Sequence, residues 1–239
     1  MPRFLRLIAA GSSVCLVAIG GCETFGGQPS GGDGDWEYFG GDRAFTRYAP
    51  LDQITADNVD DLQILWRRPA VSPAFMESFP DLRVSGNLRA TPILIDGVLY
   101  APNGVGLVEA FHPATGEMLW AQEPFLPTLQ EAAGQSSRGV DYWTDGADGR
   151  LIAVRGGYLY ALDSRTGRVL ADFGEEGRVN LIPPTARRFN WSSGPIVVND
   201  VIVVGGTVDG AGDSGMLWEG SAPENVRGYD VRSGQLLWT

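Results

Sequence analysis

One short phrase that occurs three times constrains this chain more than anything else in it. The copies are Ala110-Phe111-His112-Pro113-Ala114-Thr115-Gly116-Glu117-Met118-Leu119-Trp120, then Ala161-Leu162-Asp163-Ser164-Arg165-Thr166-Gly167-Arg168-Val169-Leu170-Ala171, then Gly228-Tyr229-Asp230-Val231-Arg232-Ser233-Gly234-Gln235-Leu236-Leu237-Trp238. The shared form is a small residue, an apolar residue, a Thr/Ser-Gly pair and a terminal Trp, which the second copy replaces with Ala171. Each copy reads as a strand that ends near Asp163 or its equivalent. A turn follows in which glycine adopts positive φ without steric cost, and a second strand leaves toward the Trp position. A large ring there can cover the contact with the next sheet.

An apolar hairpin precedes each copy, at residues 91–101, 150–160 and 195–204. The first turns on Asp96-Gly97 between alternating apolar residues, the strongest short hairpin signal. Hairpin, turn and strand make about four strands per unit, which is a propeller blade. Gly116, Gly167 and Gly234 are 51 and 67 residues apart, longer than the roughly 40–50 residues of simple propellers. The excess falls in the loops Leu126–Gln135 and Val208–Asn225, and long loops in compact domains usually carry function. No helix of any length is expected in the repeats. Residues 55–62 are expected to form a short helix capped by Thr55 or Asp57. The fold class is therefore all-β, a partial β-propeller over residues 36–239. Three matched copies argue against a β-sandwich with coincidental Thr-Gly turns.

Composition fits. The 33 glycines and 15 prolines are spread along the chain, as many short strands and tight turns require. The net charge is −11, and all 18 basic residues are arginine. Nucleic-acid binding draws its affinity from clustered positive charge, so no nucleic-acid partner is expected.

The N-terminus reads as an address. Arg3 and Arg6 precede an apolar run from Leu7 to Ile19 that ends in small residues, as a secretory signal does. Ile19-Gly20-Gly21-Cys22 resembles the lipobox of bacterial lipoproteins, in which the cysteine is acylated and becomes the new N-terminus. Residues 1–21 are expected to be removed, Cys22 lipidated, and the Gly-rich stretch 22–35 to act as a flexible tether. An uncleaved anchor helix with an incidental cysteine is the alternative. Either way the folded part is expected outside the cytoplasm, on the periplasmic side of a bacterial membrane. Of the two cysteines, Cys15 and Cys22, only Cys22 would then remain, so no intrachain disulfide could form.

Three segments carry a closer resemblance. They are Trp36–Asp42 with Thr46–Ile54, Ser137–Trp143, and Ser193–Val198 with Gly206–Asp209. Together they resemble the alcohol and glucose dehydrogenases that depend on pyrroloquinoline quinone (PQQ), over residues 36 to 239. The resemblance implies a known chemistry. PQQ, a flat anion with carboxylates on its rim, would sit on the propeller axis. Ca²⁺, held by hard oxygen ligands, would act as a Lewis acid. An aspartate would accept the proton of an alcohol or aldose sugar while hydride passes to the quinone. Electrons would go on to a cytochrome c or a membrane quinone.

By the same resemblance, Arg138 matches the arginine that pairs with a cofactor carboxylate, where a planar two-pronged donor is suited. The alternative is an arginine that anchors a loop. Ser192 and Thr207 match hydroxyl donors to the quinone rim, or else satisfy loop backbone. Asp209 is the nearest acid to the position of a calcium ligand, or else a turn aspartate. Two departures stand out. Ser136-Ser137 occupies the place where some members carry adjacent cysteines, which argues against the methanol-type subgroup. Arg89 stands where the family often has glutamate, so it would meet the cofactor with the opposite charge. His112, Trp66, Trp120 and Trp238 are expected to be structural. Trp143 and Trp218 are candidates for either funnel or core.

The family's closed ring has eight blades, about twice this length. The expected catalytic aspartate would lie outside these residues, so the chain alone is expected neither to hold PQQ tightly nor to turn over. Two other readings remain. One is a non-catalytic, lipid-anchored scaffold resembling the outer-membrane protein-assembly lipoprotein. The other is a periplasmic binding module with a decayed quinone site.

Overall fold

A computed structural model describes residues 35–132, 138–184, 188–190, 193–209 and 226–239; for residues 128, 131, 132, 188, 190 and 207–209 it describes the backbone alone. Three four-stranded antiparallel sheets dominate it. Blade 1 is β1 (Ile93–Ile95), β2 (Val98–Pro102), β3 (Val108–Phe111) and β4 (Met118–Ala121), in that spatial order. Blade 2 is β5 (Asp141–Thr144), β6 (Gly149–Arg155), β7 (Tyr158–Asp163) and β8 (Arg178–Asn180). Blade 3 is β10 (Ile196–Val198), β11 (Val201–Val204), β13 (Arg227–Asp230) and β14 (Leu236–Trp238). A two-stranded sheet pairs β12 (Thr207–Asp209) with β9 (Arg188–Asn190). The partial propeller read from the repeat is present.

Blade 2 shows why these strands run apolar almost without a break. Leu151 and Ala153 on β6, with Tyr160 and Leu162 on β7, pack against Ile93, Tyr100, Val108 and Ala110 of blade 1. The alternate residues Ile152, Val154, Leu159 and Ala161 pack against Val197, Ile202, Val204 and Tyr229 of blade 3. Side chains alternate across a strand, so a sheet covered on both faces must be apolar at both parities. Each fully buried aliphatic side chain contributes roughly 1.5–3 kcal/mol.

The repeated phrase builds the joints between blades. Gly116, Gly167 and Gly234 all have φ near +70°. The ring of Trp66 lies over Gly116, where a Cβ would stand 2.6 Å from Cδ2, and that of Trp120 lies over Gly167. Each indole also donates a hydrogen bond to the same turn of the next unit, Trp66 Nε1 to the Pro113 carbonyl (2.8 Å) and Trp120 Nε1 to the Ser164 carbonyl (3.1 Å). The second copy lacks the Trp, and its dock is divided among other residues. Phe173 and Val179 cover Gly234. Arg150, buried on β6, donates from Nη1 to the Arg232 carbonyl (2.7 Å). Trp238 lies against Gly228 of the adjacent strand and is 45% exposed.

Four expectations need correction. The hairpin at 150–160 joins the second and third strands of its blade, whereas the other two hairpins join the first and second. The inner strand of blade 2 is Asp141–Thr144, too polar and aromatic to stand out as a strand. The outer strand of blade 2 does not run straight to residue 171. After a single bridge between Leu162 and Val169 the chain turns away, and β8 forms at Arg178–Asn180. That excursion delivers Phe173. Finally, a helix does occur within the repeats, α2 (Leu126–Ala132); α1 (Pro73–Ser78), capped by the Ser72 side chain, lies before them. Residues 55–62 form a turn, in which Thr55 Oγ1 accepts from the Asp57 N–H (3.3 Å), and a 3-10 segment at Val59–Asp61 whose N-cap position is Asn58.

Candidate functional site

Antiparallel four-stranded blades place the starts of their first strands and the ends of their second strands at one end of the sheets. Arg89 lies just before β1, Arg138 just before β5, Ser193-Gly194 just before β10, and Thr207–Asp209 just after β11. The topology thus brings the sequence-named residues to one end of the blades. Inner strands β5 and β10 lie against each other. The Thr91 N–H donates to the Arg138 carbonyl (3.3 Å). Gly139, at φ +136°, leaves a Cβ position 3.1 Å from the Thr91 carbonyl oxygen, while Gly194 lies across from the Gly139 carbonyl. Three inner strands therefore converge on the backbone at Arg138-Gly139.

Arg138 is half-buried, and its Nε is buried without a hydrogen-bond partner. A buried donor left unmade costs about 1–3 kcal/mol, more when charged; among the described residues Arg68 Nη1 and Arg150 Nε are in the same state. A carboxylate fits a guanidinium in that state. Arg89 is exposed, and with its amide oriented to accept, Asn87 meets Arg89 Nε at 3.1 Å and Nη2 at 3.3 Å. The backbones of Thr207 and Asp209 pair with Asn190 and Arg188. Ser192, Cys22 and Trp218 lie outside the described residues. Among the described residues no three His, Cys, Asp or Glu side chains are grouped to hold a metal.

Trp143 is core: it packs between blades 2 and 3 and donates from Nε1 to Asp200 Oδ1 (3.1 Å). His112 serves its turn, accepting at Nδ1 from the Ala114 N–H (3.2 Å).

Asp141 is the residue that sequence reading passed over. Its carboxylate is fully buried at the start of β5. It accepts hydrogen bonds from Arg43 Nη1 (2.9 Å), the Tyr142 N–H (2.8 Å) and the Val197 N–H of blade 3. Burial pushes this carboxyl above its ordinary range, against the pull of Arg43 and the two backbone donors. Arg43 also stacks over the Tyr38 ring, 4.5 Å from its centroid. Burial, helped by the charge of Asp141, pushes the Tyr38 hydroxyl up to about 12. The one local signal was an acid directly before two aromatic residues.

Blades joined by an indole ring over a Thr/Ser-Gly turn, with inner strands that converge at Arg138-Gly139, define a quinoprotein-type propeller. The model of the PQQ β-propeller domain of glucose, ethanol and alcohol dehydrogenases matches residues 36–239, and the chain belongs to that family. It is 28% identical to the dehydrogenase subunit of the quinone alcohol dehydrogenase of Gluconacetobacter polyoxogenes, an alignment covering 98% of this chain and 30% of that protein. It is 30% identical to quinoprotein glucose dehydrogenase A of Acinetobacter calcoaceticus, over 90% of this chain and 29% of the relative. The quinohemoprotein alcohol dehydrogenase of Comamonas testosteroni shares the fold at a TM-score of 0.62 and 24% identity, over 85% of this chain and 26% of that structure. The chain thus spans under a third of the length of these proteins.

Proposed function

We propose that this chain supplies the first blades of a PQQ- and calcium-dependent dehydrogenase that oxidises alcohols or aldose sugars. The observation that carries the reading is the buried, unpartnered Nε of Arg138 where three inner strands meet. A cofactor carboxylate would satisfy that donor. PQQ would supply the hydride acceptor and calcium the Lewis acid. Arg138 would hold a cofactor carboxylate, with Ser192 and Thr207 donating to the rim, Arg89 adding positive charge near it, and Asp209 offering an oxygen to the metal. Electrons would pass to a cytochrome c or a membrane quinone. Residues 1–21 would direct export, and Cys22 would carry the lipid that holds the protein on the periplasmic side of a membrane.

The test is PQQ binding by equilibrium dialysis on the whole protein. Arg138→Ala is expected to weaken binding about tenfold or more, the loss of a charge-assisted hydrogen bond. Arg138→Lys should recover part of it. Unchanged affinity in Arg138→Ala would overturn the assignment. The anchor is tested separately: wild-type cells fed labelled palmitate should yield labelled protein, and Cys22→Ser should abolish the label.

A further inference from the structure

We infer that Arg43 is a positioning residue, clasping the entry segment 36–45 to Asp141 and so fixing the backbone of Arg138 at the meeting point of the blades. Trp36 exchanges two backbone hydrogen bonds with Leu94, adding to the edge of β1 that β2 leaves free (3.1 and 3.0 Å). That edge belongs to the innermost strand of blade 1, so the segment runs along the axial side of the blades. From there Arg43 reaches across to blade 2, where Asp141 follows Arg138 by three residues.

Asp141 acts as a three-way junction. It takes one bond from the entry segment, one from blade 3 through Val197, and one from its own strand. An exposed ion pair contributes little, but here the carboxylate has no access to water while the Arg43 side chain is 52% exposed. Removing the guanidinium leaves a buried charge with only two backbone donors, which is costly. Shifting the start of β5 toward solvent relieves that cost. Val140 and Gly139 transmit the shift to Arg138, whose carbonyl is held only by the Thr91 N–H among the described backbone bonds. Because Arg43 is half-exposed, replacing it opens no cavity in the core.

The consequence for the cofactor rests on the reading of Arg138 given above; the clasp does not. The test is amide hydrogen exchange, read by mass spectrometry, on the full chain. Arg43→Ala is expected to speed exchange in residues 138–144 about tenfold, with β11 and β13 of blade 3 unchanged. Arg43→Lys, which keeps one donor and the charge, should return most of the protection. Unchanged exchange at 138–144 would overturn the clasp, as would equal acceleration in all three blades or a lysine variant no better than alanine. In the whole protein, Arg43→Ala should also weaken PQQ binding severalfold. A wild-type protein that fails to bind PQQ would sink the proposed function and leave the exchange result to decide the clasp.

Discussion

Gly167→Val is expected to destabilise the protein by about 3–5 kcal/mol, a fall in Tm on the order of 10 °C. Two effects add. The residue sits at φ +71°, where a β-branched side chain is strained by roughly 1–2 kcal/mol. A Cβ would also enter the ring of Trp120, which already donates to the Ser164 carbonyl of the same turn. The indole cannot retreat without giving up that bond and uncovering the core between blades 1 and 2. Thermal or urea unfolding of the full chain measures the loss. A double-mutant cycle separates the two terms. In a Trp120→Ala background the clash is gone, so Gly167→Val should cost only the backbone strain. Strict additivity of the two substitutions would show that the ring does not dock there.

This joint was readable because all its information is local. The Thr/Ser-Gly pair sets the turn, and the Trp lies four residues past the glycine in copies one and three. What the ring covers is the turn of the following blade, the same phrase one repeat on. The candidate site was readable only where it, too, lay in short phrases. Arg138 lay in one. Asp141 lay in the same phrase, but its partner Arg43 is 98 residues away, and no spacing rule connects an exposed loop arginine to the inner strand of a distant blade. The inner strand of blade 2 was obscured for a related reason. Asp141-Tyr142-Trp143-Thr144 is shaped by what it touches, Val197, Arg43 and Asp200, and those contacts override the apolar pattern that marks its counterparts. Helix α2 has the sequence Leu-Pro-Thr-Leu-Gln-Glu-Ala, too short for a 3.6-residue period to show.

The repeat's one irregularity leads to the second large expected effect. Phe173→Ala should cost about 3–5 kcal/mol, in the range for a buried aromatic cut to alanine, because Phe173 is fully buried in the core between blades 2 and 3. Arg150→Met should cost less. It keeps the packing volume and removes a guanidinium whose Nε is already buried unpaired, but it strands the Arg232 carbonyl that Nη1 serves. If Phe173 and Arg150 together stand in for one tryptophan, a ring and an N–H donor, then supplying that tryptophan should make both less necessary. Ala171→Trp puts an indole at the motif position, which is exposed here and free of the core. In the Phe173→Ala background it should recover at least about 1 kcal/mol of the loss, whereas in the wild type it should add nothing, since the seat over Gly234 is taken. Recovery in the variant without gain in the wild type is the signature of one docking seat filled in two ways. Equal effects of Ala171→Trp in both backgrounds would mean that Phe173 packs the core on its own account and that the second repeat has no tryptophan seat at all.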